Sequence, residues 1–223
     1  MKEFDLNVDS LRELNAYLHD APDNEVQVNH PGGRHCIAAG IDDEIEVTID
    51  GHVGYYCGGM NKRAQITVTG NAGPGAAENM MSGEMRIKGN ASQYAGASGH
   101  GGTLIIEGDA SSRCGISMKG IDIVVAGDVG HMSGFMAQKG NLVVCGNVGH
   151  HLGDSLYEAI IFVRGTVGEL GADCVEKEMR DEHRDTLARL LRLSGLDYST
   201  DEFRRYGSAR KLYHFHIDHA DAY

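Results

Sequence analysis

A glycine recurs every nineteen residues through the middle of this chain. Gly51, Gly70, Gly89, Gly108, Gly127, Gly146 and Gly165 hold that spacing without a slip, and Gly32 extends the series one step upstream. A fixed period of this length is the signature of a stacked repeat, in which each unit buries its apolar face only against its neighbours.

The columns around the glycine say what kind of repeat it is. Four residues before it stand Val47, Ile66, Met85, Leu104, Ile123, Leu142 and Ile161, and two before it Ile49, Val68, Ile87, Ile106, Val125, Val144 and Val163. Two after it come Val53, Ala72, Ala91, Ala110, Val129, Val148 and Val167. Apolar residues at alternate positions leading into a glycine describe a short strand with one buried face. One such strand per nineteen residues, with no helical stretch between, predicts an all-β fold, a parallel β-helix of about seven to eight coils. Periodicity does not give its handedness, but the crossover rule for parallel strands favours a right-handed one. Each large aliphatic side chain so buried contributes about 1.5–3 kcal/mol.

Small residues also form columns. Gly54, Gly73, Ser92, Ser111, Gly130, Gly149 and Gly168 lie three after the anchor, and Gly58, Ala77, Gly96, Gly115, Gly134, Gly153 and Ala172 seven after it. Glycine supplies positive φ and close backbone approach, both wanted at a coil corner. Asn71, Asn90, Asp109, Asp128 and Asn147 directly follow the anchor and are turn-capping, left-handed-tolerant types.

Outside the repeat, residues 1–25 carry Ser10-Leu11-Arg12-Glu13, a capping-box pattern, with Leu11, Leu14 and Leu18 at helical spacing and Pro22 as the stop. A short helix there would cover the open end of the stack, whose strand edge otherwise invites pairing with another chain. Coils are expected over 26–173, the first of them imperfect around Val26, Val28 and Gly32. Residues 174–223 are expected to hold an amphipathic helix from Cys174 to Ser194, stopped by Gly195, and then a docking tail.

One outward column gives that helix something to cover. Three before the anchor the residues run Thr48, Thr67, Arg86 and then Ile105, Val124, Val143, Phe162, polar early and apolar late. An apolar stripe of that size is covered by the chain itself or is an interface. The candidate cover is the helix that follows the coils; the other reading makes the four late residues, Ile105, Val124, Val143 and Phe162, a candidate interface with a partner subunit.

Candidate chemistry is sparse. The net charge of −12 disfavours nucleic-acid and anionic-membrane surfaces. With no signal-like segment or long apolar run, a soluble, cytoplasmic protein is expected. The five cysteines include no CxxC pair; Cys57 and Cys114 share a column but stand three coils apart, too far for a disulfide. His131 and His150 occupy one column on neighbouring coils, and His214, His216 and Asp218 would share a face of an extended tail beside His219. Both groups are weak candidates for a metal. Arg204, Arg205, Arg210 and Lys211 form a basic patch best read as salt-bridging, and Ser199 or Thr200 is a candidate cap for a short helix through Tyr206. No catalytic, cofactor-binding or metal-binding residue is assigned on this chain. The glycine runs are not followed by the helix a dinucleotide motif needs, and the coils lack the aspartate of the nonapeptide calcium repeat.

The runs GDVGHMSGFMAQKGNLVVCGNVGHHLGDSLYEAIIFVRGTVGELGADC and GNASQYAGASGHGGTLIIEGDASSRCG resemble the GXGXG β-helix domain of glutamate synthase large subunits, a domain that recurs in one subunit of formylmethanofuran dehydrogenase. Among free-standing versions, the chain with its FRRYGSARKLYHF tail is most similar to the stand-alone β-helix subunit of N-methylglutamate synthases. The resemblance also favours a right-handed coil. It implies a structural, non-catalytic subunit holding two partners: a class II amidotransferase-like subunit and a synthase subunit bearing FMN and iron–sulfur clusters. It leaves open a share in walling an ammonia or amine path. The implied reaction of the assembly converts methylamine and L-glutamate to N-methyl-L-glutamate and ammonia. A formylmethanofuran-dehydrogenase-type subunit and a stand-alone β-helix enzyme are the alternatives, although the outward coil positions show no acidic cluster for the latter.

Overall fold

The structure, a computed structural model, describes residues 1–20 and 23–211. Its strands are β1 (Lys2–Asp5), β2 (Glu25–Asn29), β3 (Glu46–Asp50), β4 (Gln65–Val68), β5 (Glu84–Ile87), β6 (Thr103–Ile106), β7 (Lys119–Val125), β8 (Lys139–Val144), β9 (Ile160–Val163), β10 (Cys174–Lys177) and β11 (Arg204–Ser208). Two helices, α1 (Leu11–Leu18) and α2 (Asp181–Ser194), flank the stack. One sheet runs through all the strands in the order β1 to β9, then β11, then β10.

From β3 to β9 every strand pairs in parallel with the next at an offset of nineteen, as in Val47↔Ile66 and Leu104↔Ile123, apart from a bulge where Lys119 of β7 meets Lys139 of β8. This is a parallel β-helix. The columns four and two before the anchor are buried throughout, and the column two after it forms a second ladder of single parallel bridges from Val53↔Ala72 to Val148↔Val167. The interior is filled by side chains.

The anchor glycines answer a steric demand. Of the seven, only Gly51 has φ in the left-handed region, at +137°. In the other six a Cβ would lie closer than 3.0 Å to backbone of the glycine one coil earlier. Gly108 N, for example, donates to Gly89 O at 3.1 Å and Gly127 N to Gly108 O at 3.0 Å. Nor do the Asn and Asp residues beside them adopt left-handed backbone. Their side chains form a ladder instead: Asn71 Oδ1 accepts from Asn90 N at 2.9 Å, Asn90 Oδ1 from Asp109 N at 2.8 Å, Asp109 Oδ1 from Asp128 N at 2.8 Å and Asp128 Oδ1 from Asn147 N at 2.6 Å.

Positive φ is concentrated at another corner, on three alternate residues per coil. Tyr94, Gly96 and Ser98 have φ of 64°, 69° and 53°, and Met132, Gly134 and Met136 of 57°, 71° and 52°. In these two coils only the middle one is a glycine, while in another Gly75 leads and Ala77 and Asn79 follow. Left-handed backbone costs an ordinary L-residue about 1–2 kcal/mol, which the registered stack on either side offsets.

Both ends depart from the simple repeat. Val26 pairs with Val47, an offset of twenty-one, so Gly32 does not stand in the anchor column: continuing the register sets His30, at φ 54°, opposite Gly51. Two additional residues are accommodated before Gly51, which packs on Pro31. The segment ahead of the coils contributes a strand as well as a helix, because β1 pairs in parallel with β2. Its residue Phe4 is buried, and Leu14 and Leu18 of α1 pack into the same core. Ser10 and Glu13 make the expected capping box. Asn15 fastens α1 to the first coil by donating to Cys36 O at 2.8 Å and accepting from Ala38 N at 3.0 Å. Pro22 lies outside the described residues.

At the other end, the helix expected from Cys174 begins only at Asp181. Cys174–Lys177 is a strand, with Cys174 turned into the core and Val175 exposed on the opposite face. The helix expected through Tyr206 is a single 3₁₀ turn, Thr200–Glu202, capped by Ser199. The alternation that follows, with Tyr206 inside and Arg205 outward, makes β11, which inserts antiparallel between β9 and β10. Gly195 does end α2, in the left-handed region at φ 76°.

Candidate functional site

The outward face of the late coils is where the structure brings most of the singled-out residues together. Strand β4 reads exposed, buried, half-buried, buried, whereas β6 to β9 each end in three consecutive buried residues. Val124, Val143 and Phe162 are fully buried in a second apolar cluster with Cys145, Leu187, Leu190, Leu191 and Phe203. Ile105, one coil earlier, is 1% exposed. These four were the candidate interface, and in the structure their side chains are taken up inside the chain. The stripe is the seat of α2.

Polar contacts frame that seat, and sequence patterns did not single them out. Arg86, the last polar residue of the column before it turns apolar, donates to Leu193 O at 3.2 Å and Ser194 O at 3.3 Å while pairing with Glu107 at 3.2 Å. A guanidinium thus satisfies the carbonyls that a helix leaves unpaired at its C-terminal end. Arg189 of α2 reaches back to Asp122 at 2.9 Å. Arg164 joins Glu202 at 2.9 Å and lies 4.1 Å over the Tyr198 ring. The switch from Arg86 to Ile105 in one column marks on the coils the place where α2 stops, as Gly195 marks it on the helix.

The histidine column is arranged differently from expectation. The ring packed edge-on against His131, with centroids 5.2 Å apart, is that of His151, and both His150 and His151 face Glu169 at 3.7 and 3.8 Å. Among the described residues no three His, Cys, Asp or Glu side chains are gathered so as to hold a metal ion. His214, His216, Asp218 and His219 lie outside the described residues.

All five cysteines are free thiols. Burial pushes Cys57, Cys114, Cys145 and Cys174 up to about 12, so they serve as small apolar side chains. The basic patch is largely spent within the chain: Arg204 donates to Gly165 O at 2.8 Å, Arg205 to Glu178 O at 2.8 Å and Arg210 to Glu158 at 2.8 Å. No helix among the described residues is long and apolar enough to cross a membrane.

Comparison with known proteins gives one local match. Over 55 residues the chain is 64% identical to Protein GlxC of Rhizobium meliloti (strain 1021). That stretch covers 24% of this chain and 24% of GlxC, so the similarity spans about a quarter of the relative's length. No family model matches the chain.

Proposed function

We propose that this chain is a non-catalytic structural subunit of a glutamate-synthase-like flavoenzyme, most specifically an N-methylglutamate synthase. It would hold an amidotransferase-like subunit and an FMN- and iron–sulfur-bearing subunit in register within the cytoplasm. The observation that carries the reading is the continuity of the stack. The segment bearing the resemblance is a run of coils locked by glycine contacts and an Asn/Asp ladder, with a side-chain-filled interior and a helix sealed over its late outward face. Such a body transmits position between surfaces many coils apart, because each coil is fixed by both neighbours.

In this reading the GXGXG glycines keep coil spacing constant, and the chemistry resides on the partners. Extracts of a host lacking this chain should fail to form N-methylglutamate from methylamine and glutamate, and adding back the purified chain should restore the reaction. Normal synthesis without the chain would overturn the proposal.

A further inference from the structure

Strands β10 and β11 set two cations directly across from each other. Lys177 pairs with Arg205 in the antiparallel register, on the face of the sheet that α2 overhangs. Like charges at directly opposed positions are destabilising. Carboxylates relieve them only from a distance, Glu158 and Asp173 acting on Lys177 and Glu182 and Glu178 on Arg205, and among the described residues none forms an ion pair with either cation. Glu158 is engaged by Arg210 at 2.8 Å, and Glu178 and Glu182 by Arg180 at 3.7 Å each. Among the described residues neither Lys177 nor Arg205 has a carboxylate partner; the guanidinium of Arg205 meets only the Glu178 carbonyl.

The two cations converge on an open space. Gly207 lies two residues beyond Arg205 on the same face, and the point a Cβ would occupy there is 3.7 Å from Lys177 Cε and 4.0 Å from Arg205 Nη1. Gly207 is not in the left-handed region, so backbone conformation does not require a glycine. Its missing side chain leaves the floor of a pocket of about 290 Å³, whose walls include Lys177, His183, Arg205 and Arg210 together with Glu158 and Glu182, the two carboxylates already held by Arg210 and Arg180. Burial, followed by the charges of Arg205 and Arg210, holds the Lys177 ammonium below its usual range. Burial and then Arg180 do the same to Arg205.

We infer that this pocket is a binding site for a small oxyanion, a carboxylate or phosphate, gripped between the Lys177 ammonium and the Arg205 guanidinium over Gly207. The guanidinium presents a planar fork and the lysine a point charge, the combination that suits such groups. An anion there would neutralise the repulsion built into the strand pair, and ligand binding and chain stability would rise together.

The test uses the full-length protein with glutarate and inorganic phosphate as probes, in thermal melts at constant ionic strength. A saturable rise in melting temperature with at least one probe is expected, and the probe that saturates tells whether the carboxylate or the phosphate is preferred. Lys177→Met removes one of the opposed charges and keeps the aliphatic stem. It should melt higher than wild type without anion and bind at least about tenfold more weakly, as should Arg205→Gln. Arg63→Gln, at a distant ion pair with Asp42, should keep the full response. No saturable rise with either probe, or a rise undiminished in both pocket variants, would overturn the assignment.

Discussion

Ile161 and Phe162 are adjacent in β9 and face opposite ways. Ile161 is buried in the main core inside the coils, and Phe162 in the separate cluster beneath α2. Truncating either to alanine removes a fully buried side chain, at about 3–5 kcal/mol for Phe162→Ala and about 2–5 kcal/mol for Ile161→Ala. The totals overlap, so global melting does not separate the two, but local opening does. If α2 is a layer laid over a finished stack, opening it exposes Phe162 and leaves Ile161 covered. Native-state amide exchange reads this directly. In Phe162→Ala the opening free energy of the α2 amides should fall by most of the 3–5 kcal/mol, whereas in Ile161→Ala the α2 amides should keep their own opening energy and the coil amides should weaken. Equal losses in α2 for both variants would mean that helix and coils open only together, and the layered account would fail.

Other consequences are as concrete. Gly127→Ala drives a Cβ into the Gly108 carbonyl, and should cost about 1–3 kcal/mol or more in chemical denaturation, although φ at that position is ordinary; a neutral outcome would remove the steric reading of the anchor column. His183 Nδ1 accepts from Arg180 N at 3.1 Å, and burial, then Arg205, hold its folded value below the usual 6.5. Its neutral form is therefore favoured by folding: this contribution is intact above about pH 6.5 and is lost as pH falls through the lowered folded value. His183→Gln should flatten the fall in stability over that window. In the native protein iodoacetamide should label Cys36, which is partly exposed, and spare Cys57, Cys114, Cys145 and Cys174; burst labelling of the buried four would contradict their placement.

The coil stack was legible because its periodicity is carried by residue type: apolar columns and an unbroken glycine ruler leave no other fold for residues 46–163. The finer geometry was legible only where type and conformation coincide. Tyr94, Ser98, Met132 and Met136 adopt left-handed backbone with no glycine to announce it, since their neighbours above and below impose the corner. The glycines seven after the anchor do adopt the positive φ expected at a corner, whereas the left-handed backbone expected of Asn71, Asn90, Asp109, Asp128 and Asn147 is absent, because their side chains are claimed by the next coil. The helix forecast at Cys174 failed for a related reason. Val175, Met179 and Leu187 fit helical spacing, but Cys174–Lys177 is claimed by pairing with Arg205–Ser208, some thirty residues ahead in the chain. The apolar stripe at Val124, Val143 and Phe162 was visible, and its cover was open until α2 was placed on it. The opposed Lys177 and Arg205 left no sequence signal, since each is an ordinary surface residue until the register aligns them.

The central claim, that this chain is a scaffold within a larger flavoenzyme, is most directly tested by native mass spectrometry of the tagged protein recovered from its own host. The account predicts an assembly in which this chain is accompanied by two larger subunits, with a mass increment matching FMN that remains with a partner when the complex is dissociated. Recovery of the chain alone, or as a homo-oligomer without flavin, would contradict it.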